Sequence, residues 1–450
     1  MSEPSLAYRE ALAALESRGR FGIRMGLGRT RALLTALGNP ERRLHGPLVA
    51  GTNGKGSVVA LTGAALRAAG YRVGQMPKPH LVTYRERIQV DGRPIDPDSF
   101  ARIVGEVVAV ADRLARRHGD PTEFELLTGV AFLWFAEAGV DLAVVEVGLG
   151  GRLDATHAWD GGVAAITNID LDHMDRLGPT IEAIAHEKAA IIMRGDQAVT
   201  GAWGSALAII ERRSRRMGAP LTVALPAPIQ SLDRDGIEVE LPRLGKVRVA
   251  LRGRHQAANV AVADATLDAL QRAGLATVGV QQRRAGYAAV AWPGRLELLE
   301  VAGREVLLDG AHNPAGAATL AQALADLGPY LRPGRPTLVV AMMADKDVAG
   351  VLAVLAGTPY LAGARVIATA VDSARALPAH ELADRWAALS GCAAEAIPGP
   401  EAALEAALEG GTDGPIIVGG SLYLVGAARG MLVDDPNLTP DPPIPPSTAT

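Results

Sequence analysis

Val49–Ser57, with the sequence VAGTNGKGS, decides the fold of this chain. The apolar run Leu48–Ala50 leads into it, and apolar residues at helical spacing follow it. A strand, a glycine-rich loop and a helix in this order form the setting of a phosphate-binding loop. The N–H groups of such a turn and the helix N-terminus both attract phosphate oxygens. The stretch therefore predicts an α/β domain that binds ATP.

The loop departs from the commonest pattern, in which Ser or Thr directly follows the lysine. Gly56 occupies that place here, and the hydroxyl moves to Ser57. Lys55 can neutralise a terminal phosphate, and Ser57 can bind Mg²⁺. A plain glycine turn is the alternative interpretation, but the flanking strand and helix favour phosphate binding.

Composition narrows the class of protein. A chain of 450 residues is long enough for two domains. Its formal net charge of −4 argues against a general nucleic-acid binder. The single cysteine, Cys392, excludes an intrachain disulfide. The N-terminus lacks a signal-peptide core, and no charge-free apolar run of about 18 residues occurs. We expect a cytoplasmic monomer without a membrane span.

Apolar strand-like runs alternate with helical patterns, which predicts parallel sheets covered by helices. The first sheet is predicted from runs at 48–50, 72–75, 142–147, 163–166 and 197–200, and the second from runs at 305–309, 337–342, 365–370 and 415–419. Helices are predicted at 57–69, 99–117, 123–138, 180–192, 202–217 and 256–273, and a hairpin at 237–241 and 246–251.

We therefore expect a P-loop NTPase-like domain with a mostly parallel sheet and a small β-hairpin subregion, followed by a smaller Rossmann-like α/β domain. The predicted boundaries are 1–295 for the first domain and 296–435 for the second. The proline-rich segment 436–450 is expected to be disordered.

Polar residues follow several of these strands, where sites form in open α/β sheets. Glu146 ends the run 142–145 and can bind Mg²⁺, although a helix-capping role is equally open. His173 follows the run 163–166, and a structural histidine is the alternative interpretation.

Lys188 shares one face of an apolar helix with Ile184 and Ile191. A buried lysine must be paired or lose its charge. Carbamylation by CO₂ would make it an anion able to bind Mg²⁺, but the sequence pattern alone does not call for that rare chemistry.

The second domain has three polar loops at predicted strand ends: 309–314, 344–347 and 419–423. Because the carboxyl ends of parallel strands meet at one edge, we expect these loops to face one crevice. Asp309 and Ser421 are also good helix-capping types, so each alone is explicable as a cap. Together they predict one wall of a site whose other wall is the phosphate loop.

Twelve motifs, taken in order, closely resemble the folylpolyglutamate synthase/dihydrofolate synthase family of the Mur ligase superfamily. They are GTNGKGS (51–57), PHL (79–81), ERI (86–88), TEFELLT (122–128), EVGLGGRLDAT (146–156), LDH (171–173), EKA (187–189), HQAAN (255–259), WPGRLE (292–297), LDGAHNP (308–314), ADKD (344–347) and GSLYL (420–424).

The resemblance implies an ATP-dependent ligase that adds L-glutamate to dihydropteroate or reduced folates. The substrate carboxylate attacks the γ-phosphate of ATP and becomes an acyl phosphate, whose carbonyl the glutamate amine then attacks. Closure of two domains would exclude the water that hydrolyses such an intermediate. Two Mg²⁺ sites are implied, and K⁺ is a further candidate cation.

The resemblance also implies residue roles. Those matching ATP contacts are Gly51, Thr52, Asn53, Gly54, Lys55, Gly56, Ser57, Asn259, Arg295 and Asp309. Those matching metal ligands are Ser57, Glu146, His173 and a carbamylated Lys188. The catalytic group is Lys55, His173, Lys188 and His312.

A third set matches the substrate site, with Ser421 and also His312 at positions expected to hold glutamate. Its members are Met25, Gly26, Leu27, Gly28, Arg29, Thr122, Phe124, Arg152, Leu153, Asp154, Ala155 and Ser421. The runs 25–29 and 151–155 resemble bifunctional members, which glutamylate dihydropteroate as well as folates. Folylpolyglutamate synthesis alone is the alternative.

Lys78 departs from the family pattern, which has a metal-binding serine at this place. Either its side chain turns away, or its ammonium lies near the phosphates and weakens the first Mg²⁺ site. We expect Lys78→Ser to lower the Mg²⁺ concentration needed for half-maximal activity. Two other functions stay open: a peptidoglycan Mur ligase acting on a uridine nucleotide, and a nucleotide-dependent binding protein without ligase activity.

Overall fold

Two mostly parallel sheets covered by helices form the framework of the molecule, as predicted. The computed structural model describes residues 5–19, 22, 24–410 and 413–442. The strands are β1 Gly46–Ala50, β2 Val73–Met76, β3 Gln89–Val90, β4 Arg93–Pro94, β5 Leu142–Glu146, β6 Gly162–Ile166, β7 Gln197–Thr200, β8 Leu221–Val223, β9 Ile229–Asp233, β10 Gly236–Leu241, β11 Gly245–Val249, β12 Glu297–Val301, β13 Arg304–Leu308, β14 Thr337–Val340, β15 Arg365–Ala368, β16 Glu395–Ala396 and β17 Ile416–Gly419.

Helices connect most of these strands. They are α1 Leu6–Gly19, α2 Gly28–Ala36, α3 Lys55–Ala68, α4 Pro97–His118, α5 Glu123–Ala138, α6 Met174–Leu177, α7 Ile181–Ala189, α8 Gly204–Met217, α9 Gln256–Arg272, α10 Val280–Ala289, α11 Pro314–Leu327, α12 Val348–Ala356, α13 Ala379–Ser390, α14 Pro400–Glu409 and α15 Leu422–Leu432. None of the helices in the described ranges combines the length and apolarity needed to cross a bilayer.

The first sheet has the strand order β4-β3-β2-β5-β1-β6-β7-β8, with only β3 and β4 antiparallel to their neighbours. Successive residues of its central strands enter opposite cores. Leu48 and Val145 join the cluster beneath α4 and α5, whereas Val49 and Val144 join the cluster beneath α3 and α9. Burial on both faces explains the continuous apolar runs of these strands.

A three-stranded antiparallel sheet, β11-β10-β9, lies where the sequence predicted a hairpin. The hairpin is confirmed, and β9 is an added third strand. The smaller second sheet has the order β12-β13-β17-β14-β15-β16 and is parallel except for β12. Helices α11, α12 and α13 cover one of its faces, and α14 and α15 cover the other.

The C-terminal segment differs from the prediction of disorder. Asp441 accepts hydrogen bonds from the Thr83 hydroxyl at 2.8 Å and from the Tyr84 N–H at 2.7 Å. Residues 436–442 therefore pack against the first domain, while the rest of the predicted tail, 443–450, lies outside the described residues. The boundary near residue 295 stays a proposal, and it falls between the two sheets.

Candidate active site

Three neighbouring strands end at one level and place the phosphate loop at the centre of the first sheet. Val49 pairs with Glu146 of β5, and Ala50 pairs with Ile166 of β6. The residues that follow β1 therefore leave the sheet between the carboxyl ends of β5 and β6. This is the crevice in which open α/β sheets bind ligands.

The loop needs glycine at two positions. Gly54 has φ of 80° and caps α3, and a Cβ there would lie 2.1 Å from Asn259 Oδ1. Gly51 has φ of 149°, and a Cβ there would lie 1.8 Å from Thr167 Oγ1. Lys55 Nζ donates to the carbonyls of Gly51 and Thr52 at 3.1 and 3.0 Å, so the loop encloses its ammonium.

Residues after β6 hold this loop. Thr167 Oγ1 donates to the carbonyl of Asn53 at 2.6 Å, and the N–H of Asn53 donates to Asn168 Oδ1 at 2.9 Å. Thr52 Oγ1 donates to the carbonyl of Asp170 at 3.1 Å. Only His173 of this segment was predicted to have a role, and the support that residues 167–170 give to the loop was not predicted.

Lys188 reaches the phosphate loop from α7. It is 5% exposed, and its Nζ donates to the carbonyl of Gly51 at 2.8 Å. Burial lowers the pKa of Lys188 to about 7, and the nearby charge of Lys55 adds to the shift. Lys188 therefore lies directly against the phosphate loop, a contact that the sequence did not predict.

Ser57 and Glu146 suit a Mg²⁺ ion. Both are buried, at 6% and 4% exposed. Burial raises the pKa of Glu146, and the charges of Lys55 and Lys78 counteract that shift. The described ranges contain no group of three or more His, Cys, Asp or Glu side chains that could hold a metal. Because Mg²⁺ keeps several waters and takes few protein oxygens, one hydroxyl and one carboxylate fit its chemistry.

His173 lies after β6, in the same segment as Asp170, whose carbonyl accepts the Thr52 hydroxyl. It has φ of 48° and precedes α6. Burial lowers its pKa, and the positive charges of Lys346, Lys188 and Lys55 push in the same direction. A neutral imidazole is the form that binds metals. Lys346 follows β14 of the second sheet, so a charge from the second domain acts on this histidine.

The second wall comes from loops after β13 and β17. Asp309 accepts the N–H of Leu296 and the N–H of Ala311, both at 2.9 Å. His312 Nδ1 lies 2.7 Å from the carbonyl of Gly310, an arrangement in which the ring nitrogen donates. The hydroxyl of Ser421 accepts from the N–H of Tyr423 at 3.2 Å and so caps α15.

Arg295 connects the two walls. A Cβ on Gly310 would lie 2.3 Å from Arg295 Nη1. The Arg295 charge also acts on Glu146 and on His312, which belong to different domains. Trp292, a few residues earlier, packs so closely that a Cβ on Gly56 would lie 2.3 Å from its ring. Trp292 begins the motif at 292–297, but the sequence did not predict this contact.

A cavity of about 420 Å³ lies at the loops that follow β2 and β5 and gathers most of the predicted substrate residues. Its lining comprises Arg18, Gly19, Gly22, Arg24, Met25, Gly26, Lys78, Arg87, Thr122, Glu123, Phe124, Glu125, Gly148, Leu149, Leu153, Asp154, Ala155 and His173. Seven predicted residues are among them: Met25, Gly26, Thr122, Phe124, Leu153, Asp154 and Ala155. The arginines of this wall were missed, although Arg87 lies within the quoted ERI motif.

Five predicted substrate residues do not line this cavity: Leu27, Gly28, Arg29, Arg152 and Ser421. Arg29 pairs with Glu125 at 3.0 Å, and Arg152 pairs with Glu187 at 2.8 Å. Leu27 and Gly28 form the start of α2. Thr122 does line the cavity, at the start of α5. Its hydroxyl caps this helix in a capping box with Glu125.

Models of two protein families match most of the chain. The Mur ligase middle domain matches residues 49–267, and the Mur ligase glutamate ligase domain matches residues 294–421. The dihydrofolate synthase/folylpolyglutamate synthase of Mycobacterium tuberculosis is 35% identical, over 91% of this chain and 90% of its own length.

Solved structures are similar over nearly the whole chain. Folylpolyglutamate synthase of Mycobacterium tuberculosis, complexed with ADP and AMPPCP, matches with a TM-score of 0.82 at 34% identity and covers 95% of this chain and 100% of its own. The Escherichia coli FolC protein in complex with DHPP and ADP matches with a TM-score of 0.80 at 29% identity, covering 96% of this chain and 99% of its own.

Proposed function

Because this chain belongs to the folylpolyglutamate synthase/dihydrofolate synthase family of Mur ligases, we infer that it is an ATP-dependent ligase that attaches L-glutamate to folates. The observation that carries this function is the meeting of two walls. The phosphate loop and Glu146 form one wall, and the Asp309–His312 loop forms the other. A ligase that activates a carboxylate and then supplies an amine needs both sets of groups at one place.

The first wall positions the phosphates of ATP. The loop leads into the N-terminus of α3, which attracts phosphate oxygens, and Lys55 is held within the loop by two carbonyls. Phosphoryl transfer depends mainly on such positioning and on stabilisation of charge. The acceptor carboxylate attacks the γ-phosphorus, and ADP leaves with the electrons of the broken bond.

The second wall supports the amine step. We assign His312 and Ser421 to the incoming glutamate, although Ser421 Oγ also caps α15. The amine attacks the acyl carbonyl, phosphate leaves, and the amine nitrogen loses a proton. Approach of the domains protects the acyl phosphate from water.

We assign two divalent-cation positions, the first to Ser57 and Glu146 and the second to His173 and a carbamylated Lys188. Mg²⁺ bound there would neutralise charge on the transferring phosphate. The burial of Lys188 against the Gly51 carbonyl supports its assignment, because a carbamate formed there would lie at the phosphate loop. K⁺ stays a further candidate ion.

The cavity supports dihydropteroate as an acceptor in addition to reduced folates. Residues from both runs that resemble bifunctional members, 25–29 and 151–155, line it. Its volume of about 420 Å³ falls within the range of small-molecule sites. A monomeric, cytoplasmic enzyme remains our prediction.

Ligation of labelled glutamate tests the function directly. Dihydropteroate and tetrahydrofolate are offered separately with ATP and Mg²⁺, and phosphate release is followed. We expect release only when an acceptor and glutamate are both present, and loss of it in Lys55→Ala. A nucleotide-dependent binding protein would release none. Ligation to a uridine nucleotide instead of a pterin would identify a peptidoglycan ligase.

A further inference from the structure

Lys78 carries a buried ammonium whose donors are unused. Its Nζ is inaccessible to solvent and has no hydrogen-bond acceptor among the described residues. The nitrogen lies 3.6 Å from the centroid of the Phe124 ring. An ammonium offers three donors, and burying donors without acceptors is unfavourable. A cation–π contact compensates only part of that loss.

The carboxylates around Lys78 are already engaged by other donors. Asp154 accepts the N–H groups of Gly148, Leu149 and Thr156 at 2.9–3.0 Å. Glu146 Oε2 accepts the backbone N–H of Lys78 itself at 2.9 Å. Both acids act on the ammonium through their charge, but neither is hydrogen-bonded to it. Burial lowers the pKa of Lys78 to about 8, and the charges of Asp154 and Glu146 oppose that shift without satisfying the donors of its side chain.

Two other cations of the same cavity wall have partners. Arg18 pairs with Asp112 and with Asp120. Arg87 donates to His80 Nδ1 at 2.8 Å and pairs with Glu123 at 3.6 Å. Neither has the unsatisfied buried nitrogen that distinguishes Lys78. Of these three cations, the lysine has donors left for an anion in the cavity, and the anion reaches them only when a neighbouring side chain such as Phe124 moves aside.

The position of Lys78 suits one part of the acceptor. Lys78 and Phe124 line the cavity, while the charge of Lys55 in the phosphate loop also acts on Lys78. The Lys78 N–H is hydrogen-bonded to Glu146, which pairs with Val49 at the start of the phosphate loop, so Lys78 lies at the edge of the sheet from which this loop leaves. The reacting carboxylate must occupy that same region in order to reach the γ-phosphorus.

We propose that Lys78 is a positioning and specificity residue whose ammonium donates to the reacting carboxylate of the acceptor. This inference rests on the proposed function, because it takes the acceptor to be a pterin acid. A charge-assisted hydrogen bond of this kind favours a free carboxylate over a neutral amide. It also holds the acceptor before ATP binds.

Binding calorimetry without ATP or Mg²⁺ tests the proposal. The two ligands are the acceptor that the wild-type chain ligates and its carboxamide, in which the reacting carboxylate is neutral. We expect the wild-type chain to prefer the acid by roughly 10-fold to 100-fold. In Lys78→Met that preference should shrink to within about threefold, because a neutral side chain of similar length remains.

Lys246→Met is the matched control, since Lys246 lies on β11 of the separate antiparallel sheet. It should keep the wild-type preference. An unchanged preference in Lys78→Met overturns the proposal. Equal affinity of the wild-type chain for acid and amide also overturns it, so the result does not depend on the variant folding.

The ligation assay separates this failure from failure of the proposed function. A wild-type chain that ligates glutamate but does not discriminate acid from amide leaves the function intact and removes the role of Lys78. A wild-type chain that ligates neither acceptor refutes the function, and the assignment of Lys78 falls with it.

Discussion

At the scale of single residues, the site is built from buried polar groups fixed by the backbone. Glu146, Lys188 and Asp309 each accept from or donate to a main-chain group close to a strand end. The ends of the predicted strands placed Glu146 and Asp309, whereas Lys188 was predicted only to lie on an apolar helix. The sequence did not predict the position of Lys78 over Phe124, because that contact depends on how the loop after β2 packs against α5, far away in the sequence.

Loss of the Lys188 side chain should remove most of the ligase activity. We expect Lys188→Ala to lower kcat by about 100-fold, because a charge-stabilising group of the reaction is deleted. Added acetate should restore part of the rate, since a small carboxylate fits the space that the side chain leaves. Turnover and its acetate dependence are the measurements.

Lys188→Arg provides the control for that experiment, because a guanidinium is cationic and does not form the lysine carbamate. It should be inactive and should not respond to acetate. Wild-type turnover in either variant would show that Lys188 is not needed.

A second residue-scale prediction concerns stability. Burial raises the pKa of Asp196 to about 7, and the Asp160 carboxylate adds to the shift. The folded chain then binds more protons than the unfolded chain between about pH 4 and pH 7, so this contribution to stability is lost as pH rises. In Asp196→Asn the free energy of unfolding should be higher than in wild type by about 2 kcal/mol above pH 7.

The two proteins should be equally stable near pH 4, because an asparagine oxygen can still accept the Met193 N–H that Asp196 accepts at 2.8 Å. Urea unfolding across this pH range is the measurement. If the free energies of unfolding of the two proteins changed with pH in parallel, Asp196 would not have a raised pKa in the folded chain.

At the scale of elements, long apolar runs were predictable and short edge strands were not. Helix α5 has the predicted bounds, and α9 differs at its end by one residue. The two-residue strands β3, β4 and β16 carry too few residues for a period to show. Helix α7 ends at Ala189, earlier than predicted, although residues 190–192 keep its apolar character. Pattern sets the type of an element better than its ends.

Close packing of α10 on α3 supplies an element-scale prediction. A Cβ on Gly286 would lie 2.5 Å from the Cα of Ala65. Gly286→Ala should therefore separate the helices and lower the free energy of unfolding by about 2 kcal/mol, measured in urea.

Gly105→Ala is the matched control for that variant. A Cβ at this exposed position of α4 meets nothing within 4 Å. It should raise stability by about 0.5–1 kcal/mol, because alanine favours the helix. A stabilised Gly286→Ala protein would show that α10 does not rest on α3.

At the scale of the whole molecule, one cleft unites two sheets that are distant in sequence. The strand ends predict that the phosphate loop and the second-domain loops face each other, because parallel strands of each sheet end at one edge. The packing of residues 436–442 was not predicted. A proline-rich composition is typical of disorder, yet Asp441 accepts from Tyr84 of the first domain. That contact depends on where the Asp441 carboxylate lies in the folded chain, which amino-acid composition does not indicate.

Hydrogen exchange with and without AMPPCP and Mg²⁺ tests the shared cleft most directly. Peptides covering residues 51–57 and residues 309–314 are followed together, with the β9–β11 sheet as an internal reference. Our account predicts that the nucleotide slows amide exchange in both loops and leaves the reference unchanged. Slowing confined to residues 51–57 would show that the second domain does not face the nucleotide, and would contradict the ligase site described above.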